Sequence, residues 1–181
     1  MMKTLAVYCG ASHGVNPLYT DAARALAAAL VDHNIGLVYG GGKVGLMGVI
    51  ADEVLRLGGE ATGVIPKALV EREVGHAGLT RLFVVKDMHE RKAMMAELSE
   101  GFIAMPGGMG TLEELFEMLT WAQLGIHAKP VGLLNAGGFW DGLVAFVRHQ
   151  SAEGFVRPEH LGLMRVEADP DALIRSLRSG A

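Results

Sequence analysis

The chain has 181 residues, half of them apolar and about a fifth charged, with 25 glycines and a formal charge of −4. That length fits one globular domain with a substantial core over 1–181, and the balance excludes a disordered chain. The negative charge argues against a nucleic-acid-binding protein, which would show a basic stripe. Cys9 is the single cysteine, so no intrachain disulfide forms and a reducing, cytoplasmic compartment is expected. No secretory leader and no uninterrupted apolar run of membrane-spanning length occurs, so no membrane partner is expected.

The first apolar run, Thr4–Gly10, predicts a strand, and Pro17–His33 a helix with Asn16 as N-cap and Pro17 at the first helical position. Gly36–Gly40 is the second strand and Gly45–Leu57 the second helix. Strand Ala61–Ile65 follows, then strand Leu82–Val85 and helix Met88–Ser99. Strand Gly101–Met105 leads to helix Leu112–Leu124, and strand Val131–Leu134 to helix Trp140–Glu153. Strand Met164–Glu167 and helix Pro170–Arg178 close the chain. Most strand runs are continuously apolar, as in a sheet covered on both faces. The expected fold is α/β: a Rossmann-like, doubly wound, mostly parallel sheet with helices on both faces.

Ligands in such folds bind at the carboxyl ends of the strands, and three of those ends are glycine-rich: Cys9–Ser12, Gly40–Gly45 and Pro106–Thr111. Glycine permits close backbone approach, and a strand-to-helix turn aims unpaired N–H groups at an anion. A phosphorylated small molecule is therefore expected. Gly40, Gly42 and Gly45 match G-x-G-x-x-G, with Glu60 twenty residues after Gly40. That pattern admits a nicotinamide-dependent dehydrogenase, or simple close packing of helix on sheet. Its position after the second strand and the rival turn at 106–110 weigh against the dinucleotide. Lys43 does not complete a Walker A loop.

Thr111 and Glu114 satisfy a capping box, and so do Asp87 and Glu90. On the helix that Thr111 opens, Leu112, Leu115, Phe116, Leu119 and Ala122 share one face and are expected in the core. Glu114, Met118 and Trp121 fall opposite, with Glu117 and Thr120 beside them. That mixed face is predicted to line a pocket or a subunit interface. Arg91 and Lys92 stand near a helix start, where cations are disfavoured unless an anionic ligand or a carboxylate faces them. The scattered histidines lack paired ligand spacing, so no metal is expected.

The ordered set Gly42-x-x-Gly45-Leu46-Met47-Gly48, Met88–Lys92, Pro106-Gly107-Gly108-x-Gly110-Thr111-x-x-Glu114, Thr120–His127 and Lys129–Asn135 resembles the LONELY GUY (LOG) family. Its members are cytokinin riboside 5′-monophosphate phosphoribohydrolases, formerly described as lysine decarboxylases. The resemblance implies a Rossmann-like homodimer that takes a nucleoside 5′-monophosphate and needs no cofactor. By the same resemblance Arg91 and Glu114 are catalytic. Glu73, Arg91, Lys92, Gly108, Met109, Gly110, Thr111, Leu112, Glu113, Glu114 and Thr120 match substrate-binding positions, Glu73 in a segment that only approximates the family's. A nucleotide-binding sensor would use the same phosphate cradle without needing Glu114.

Overall fold

The computed structural model describes residues 2–70 and 75–179. Seven strands form one parallel sheet: β1 (Thr4–Tyr8), β2 (Gly36–Tyr39), β3 (Ala61–Pro66), β4 (Arg81–Val85), β5 (Phe102–Ala104), β6 (Val131–Leu134) and β7 (Met164–Glu167). Their spatial order is β4-β3-β2-β1-β5-β6-β7. The chain winds outward in one direction from β1 to β4 and in the other from β5 to β7. Between β1 and β5 it reverses, and that switch point is where a doubly wound sheet opens a crevice.

Side chains alternate across each strand, so one strand serves two cores. Leu5 and Val7 pack with Leu37, Tyr39 and Ile103 under α1 (Leu18–Asp32), α2 (Gly45–Arg56) and α6 (Pro170–Arg178). Ala6 and Tyr8 pack with Val38, Phe102 and Leu133 under α3 (Met88–Glu97) and α4 (Met109–Gln123), with α5 (Asp141–Ala152) resting at the margin. The edge strands are the least covered: β7 is half-buried throughout and most of β4 is exposed. No helix among the described residues is long and apolar enough to cross a membrane.

The capping signals behave differently from one another. Asn16 Oδ1 accepts the Leu18 N–H at 3.0 Å, and Pro17 already has helical dihedrals, as the sequence predicts. Asp87 Oδ1 accepts the Glu90 N–H at 2.9 Å, but Glu90 returns its carboxylate to the Lys86 N–H at 2.7 Å. The box at Thr111 does not form. Helix α4 starts three residues earlier than expected, with Gly108 as its N-cap and no side-chain cap, so Thr111 and Glu114 lie inside it.

The expected core face of α4 is also corrected. Thr111, Leu115 and Met118 are the buried residues, whereas Phe116 is 37% exposed. The helix is rotated because its first turn must leave the sheet at Gly108. That rotation sends Met118 into the core and brings Glu114 to the rim of the crevice.

Candidate active site

The ends of β1, β2 and β5, with α3 and α4, enclose a cleft of about 240 Å³. Tyr8, Cys9, Gly40, Met88, Arg91 and Glu114 are among its walls, and Gly108, Gly110 and Thr111 form the side made by the start of α4. Gly10 donates its N–H to the Pro106 carbonyl at 3.1 Å, which ties the ends of β1 and β5 together at the cleft. Gly107 is forced to be glycine there. A Cβ on it would stand 2.1 Å from Thr111 Oγ1 and 2.9 Å from the Gly10 nitrogen.

Arg91 comes from the second turn of α3 and is 4% exposed. Its Nη2 donates to the Gly40 carbonyl at 2.7 Å and its Nε to the Val64 carbonyl at 3.1 Å. These two carbonyls orient the guanidinium at the cleft, where its planar fork fixes it in one direction. Gly40 makes room for this: a Cβ at that position would lie 2.1 Å from Nη2.

Glu114 approaches from α4. Its charge is felt by both groups at the end of β1. Burial, followed by Glu114, pushes the Tyr8 phenol well above its ordinary range and the Cys9 thiol far above its own. Cys9 is therefore a protonated thiol, unsuited to nucleophilic attack. It packs as a small buried residue of the core.

The uncapped start of α4 supplies the remaining element. Its N-cap, Gly108, has no side chain to accept from the first turn, so the N–H groups of Met109, Gly110 and Thr111 are those a helix offers to an anion. Gly108, Met109 and Gly110 are exposed, and Thr111 is buried. Leu112 is half-buried.

Lys92, one residue beyond Arg91, points away from the cleft. Its Nζ lies 2.9 Å from Glu113 Oε1 and 2.5 Å from Glu117 Oε2, joining α3 to α4. The bond to Glu117 holds the ammonium more firmly protonated than an ordinary lysine. These are the carboxylates that the placement of a cation early in α3 called for. A lysine protonated this firmly is a poor Schiff-base nucleophile.

The structure thus brings together Arg91, Glu114, Gly108, Gly110 and Thr111, and sets Lys92 and Glu113 behind them as a support. Thr120 is exposed further along α4, in a hollow it shares with Phe116, Val147 and Leu161. Glu73 lies outside the described residues. Tyr8, Met47, Leu69 and Met88 line the cleft without having been singled out as site residues, because an apolar or aromatic residue beside a strand end reads as core.

The dinucleotide reading fails on position. Glu60 immediately precedes β3, at the opposite end of the sheet from the glycine turns, so it cannot reach a ribose bound there. The Gly40 carbonyl is occupied by Arg91.

A family model described as possible lysine decarboxylase matches residues 47–177. The chain is 49% identical over 175 residues to an Oryza sativa subsp. japonica protein named "Probable cytokinin riboside 5′-monophosphate phosphoribohydrolase", covering 97% of this chain and 72% of that one. It is 52% identical over 156 residues to a cytokinin riboside 5′-monophosphate phosphoribohydrolase of Arabidopsis thaliana, covering 86% and 73%. Among solved structures, the molybdenum cofactor carrier protein of Chlamydomonas reinhardtii aligns with a TM-score of 0.73 over 99% of this chain and 98% of that one. At 21% identity, that is a likeness of fold.

Proposed function

We propose a reaction on one premise: the chain belongs to the LOG family, whose model, described as possible lysine decarboxylase, it matches over residues 47–177. The reaction is hydrolysis of the N-glycosidic bond of N6-modified adenosine (cytokinin riboside) 5′-monophosphates and of AMP. Water adds to C1′ as the bond to the base breaks. That bond's electron pair leaves with the base, which takes up a proton, and ribose 5-phosphate is the second product.

The observation that carries this reading is the meeting of Glu114, Arg91 and the uncapped start of α4 in one cleft at the switch point. Cleavage builds positive charge on the ribose, and a carboxylate beside it stabilises that charge and takes a proton from the attacking water. Glu114 fills this role. The N–H groups at Gly108–Thr111, with Leu112 completing the turn, hold the 5′-phosphate and so fix the sugar against the carboxylate. Arg91 orients the carboxylate and assists departure of the base. Lys92 and Glu113 serve the substrate indirectly, by fixing the first turns of α4. Glu73, outside the described residues, is assigned to the substrate by the resemblance alone.

The working unit in this proposal is a homodimer. Phe116, Leu124 and Ile126 are exposed on and just after α4, and α5 has no buried residue, which leaves an apolar flank that a second copy would cover. Thr120 sits on that flank, six residues beyond Glu114 and about 9 Å along the helix axis. From there it serves the partner's cleft. A cytoplasmic setting fits the single cysteine.

The test is incubation of the purified protein with AMP and with isopentenyladenosine monophosphate, with free base and ribose 5-phosphate quantified. Release of both products in equal amounts is expected, and the ratio of kcat/KM ranks the substrates. Tight nucleotide binding with no product would overturn the hydrolase and leave a sensor.

A further inference from the structure

The buried polar or charged side chains among the described residues are His76, Arg91, Lys92, Ser99 and Thr111. Arg91 and Thr111 line the cleft, Lys92 braces α4, and Ser99 follows the end of α3. His76 is 3% exposed although it lies in neither a helix nor a strand.

Its ring is held at both nitrogens. Nδ1 accepts the Gly78 N–H at 3.1 Å, and Nε2 lies 2.9 Å from Asp52 Oδ1 on α2. A backbone amide is always a donor, so Nδ1 is the bare nitrogen and Nε2 carries the hydrogen that goes to Asp52. The His76 backbone N–H donates to the Gly41 carbonyl at 3.0 Å, and Gly75 bridges to Gly42 beside it. His76 is thus a strut between α2 and the turn that follows β2.

That turn has nothing of its own to hold it. Gly40, Gly41 and Gly42 lack side chains, and Gly41 adopts φ +78°, so their peptide planes rotate easily unless outside partners fix them. Each carbonyl has such a partner. Gly40 accepts from Arg91 Nη2, Gly41 from the His76 N–H, and Gly42 from the Tyr39 hydroxyl at 3.1 Å. Fixing the Gly41 carbonyl fixes the plane next to the one that seats Arg91.

We propose that His76 is a positioning residue for Arg91, with Asp52 and His76 clamping the 40–42 turn so that the Gly40 carbonyl holds the guanidinium in place. The proposal rests on the reading of Arg91 as catalytic. Base release is measured for His76→Ala, Asp52→Ala and His76→Gln, each alone and in an Arg91→Lys background. The Asp52 side chain is 57% exposed, so Asp52→Ala folds even where His76→Ala does not. The alanine variants are expected to lower kcat about 5- to 30-fold with KM changed less than about twofold, the range of coupling between residues of one network. His76→Gln, which keeps an N–H donor for Asp52, recovers most of the loss. In the Arg91→Lys background the same changes cost less than about twofold, because what they position is already altered. An unchanged kcat in Asp52→Ala, or equal losses in both backgrounds, overturns the proposal. If the native protein releases no base, the hydrolase reading fails instead. The clamp is then tested by NMR through hydrogen exchange at Arg91 Nη2, the donor to Gly40: faster exchange in Asp52→Ala supports it, and an unchanged rate overturns it.

Discussion

Gly40–Gly45 and Pro106–Gly110 each turn a parallel strand into the helix that follows, and they present opposite sides of the peptide group. The first turn aims carbonyls inward, at Arg91, His76 and Tyr39, and all three acceptors are taken by the protein itself. The second opens a helix with no N-cap side-chain bond, and Gly108, Gly110 and Thr111 of its start line the cleft. One glycine turn therefore holds an arginine of the protein, and the other is the turn proposed above for the substrate's phosphate. Glycine serves the first by making room for a side chain and the second by exposing backbone.

The largest expected effect falls where both turns converge. Glu114→Gln removes the carboxylate while keeping size and hydrogen bonding, and base release should drop about 10²- to 10⁴-fold. Circular dichroism and the melting curve should be those of the native protein. Activity within a factor of two would detach Glu114 from the chemistry.

The next effect separates the two turns directly. Gly40→Ala puts a Cβ 2.1 Å from Arg91 Nη2, whereas Gly110→Ala meets nothing within 4 Å. Gly40→Ala should lose about 10²-fold in kcat through displacement of the guanidinium, with about 1–3 kcal/mol of stability. Gly110→Ala should fold at least as stably as the native chain and raise KM, since a methyl group at an open helix start crowds only the ligand. Equal kinetic losses in the two variants would erase the distinction between the turns.

A smaller effect tests the support behind the second turn. Lys92→Met keeps the packing of the stem but leaves Glu113 and Glu117 facing each other. Glu113 is more than half exposed, which screens part of the repulsion, so the cost should be about 1–3 kcal/mol. Denaturant unfolding measures it, and no change would mean that the pair does not brace α4.

The smallest effect is at alkaline pH. Burial raises the Cys9 thiol above its ordinary 9.0 and the Tyr8 phenol above 10.0, and Glu117 raises Lys92 above 10.5. All three bind their protons more tightly folded than unfolded. Their contribution is complete below the unfolded values and is lost as pH rises toward the folded ones. The melting temperature should stay level to about pH 9 and fall above it, and in Cys9→Ala the fall should begin about one pH unit later. Calorimetry between pH 8 and 11 reads this, and coincident curves for the two proteins would refute the assignment to Cys9.

Much of this molecule is set by local sequence. The alternation of seven apolar runs with six helical patterns places every strand and helix of the sheet to within a few residues, because periodicity and turn chemistry act over a dozen positions or fewer. Pro17 after Asn16 and Asp87 before Glu90 mark helix starts for the same reason. Arg91 and Glu114 stand out locally too, as charges beside strand ends. Tertiary structure decided what those signals mean. The carbonyl of Gly40 meets Arg91 51 positions away, and Lys92 meets Glu113 across 21, so neither partner is visible in a short window. The same holds for the rotation of α4, which buries Met118 and exposes Phe116. A helix pattern defines an apolar stripe, but the direction in which that stripe faces follows from where the preceding strand releases the chain.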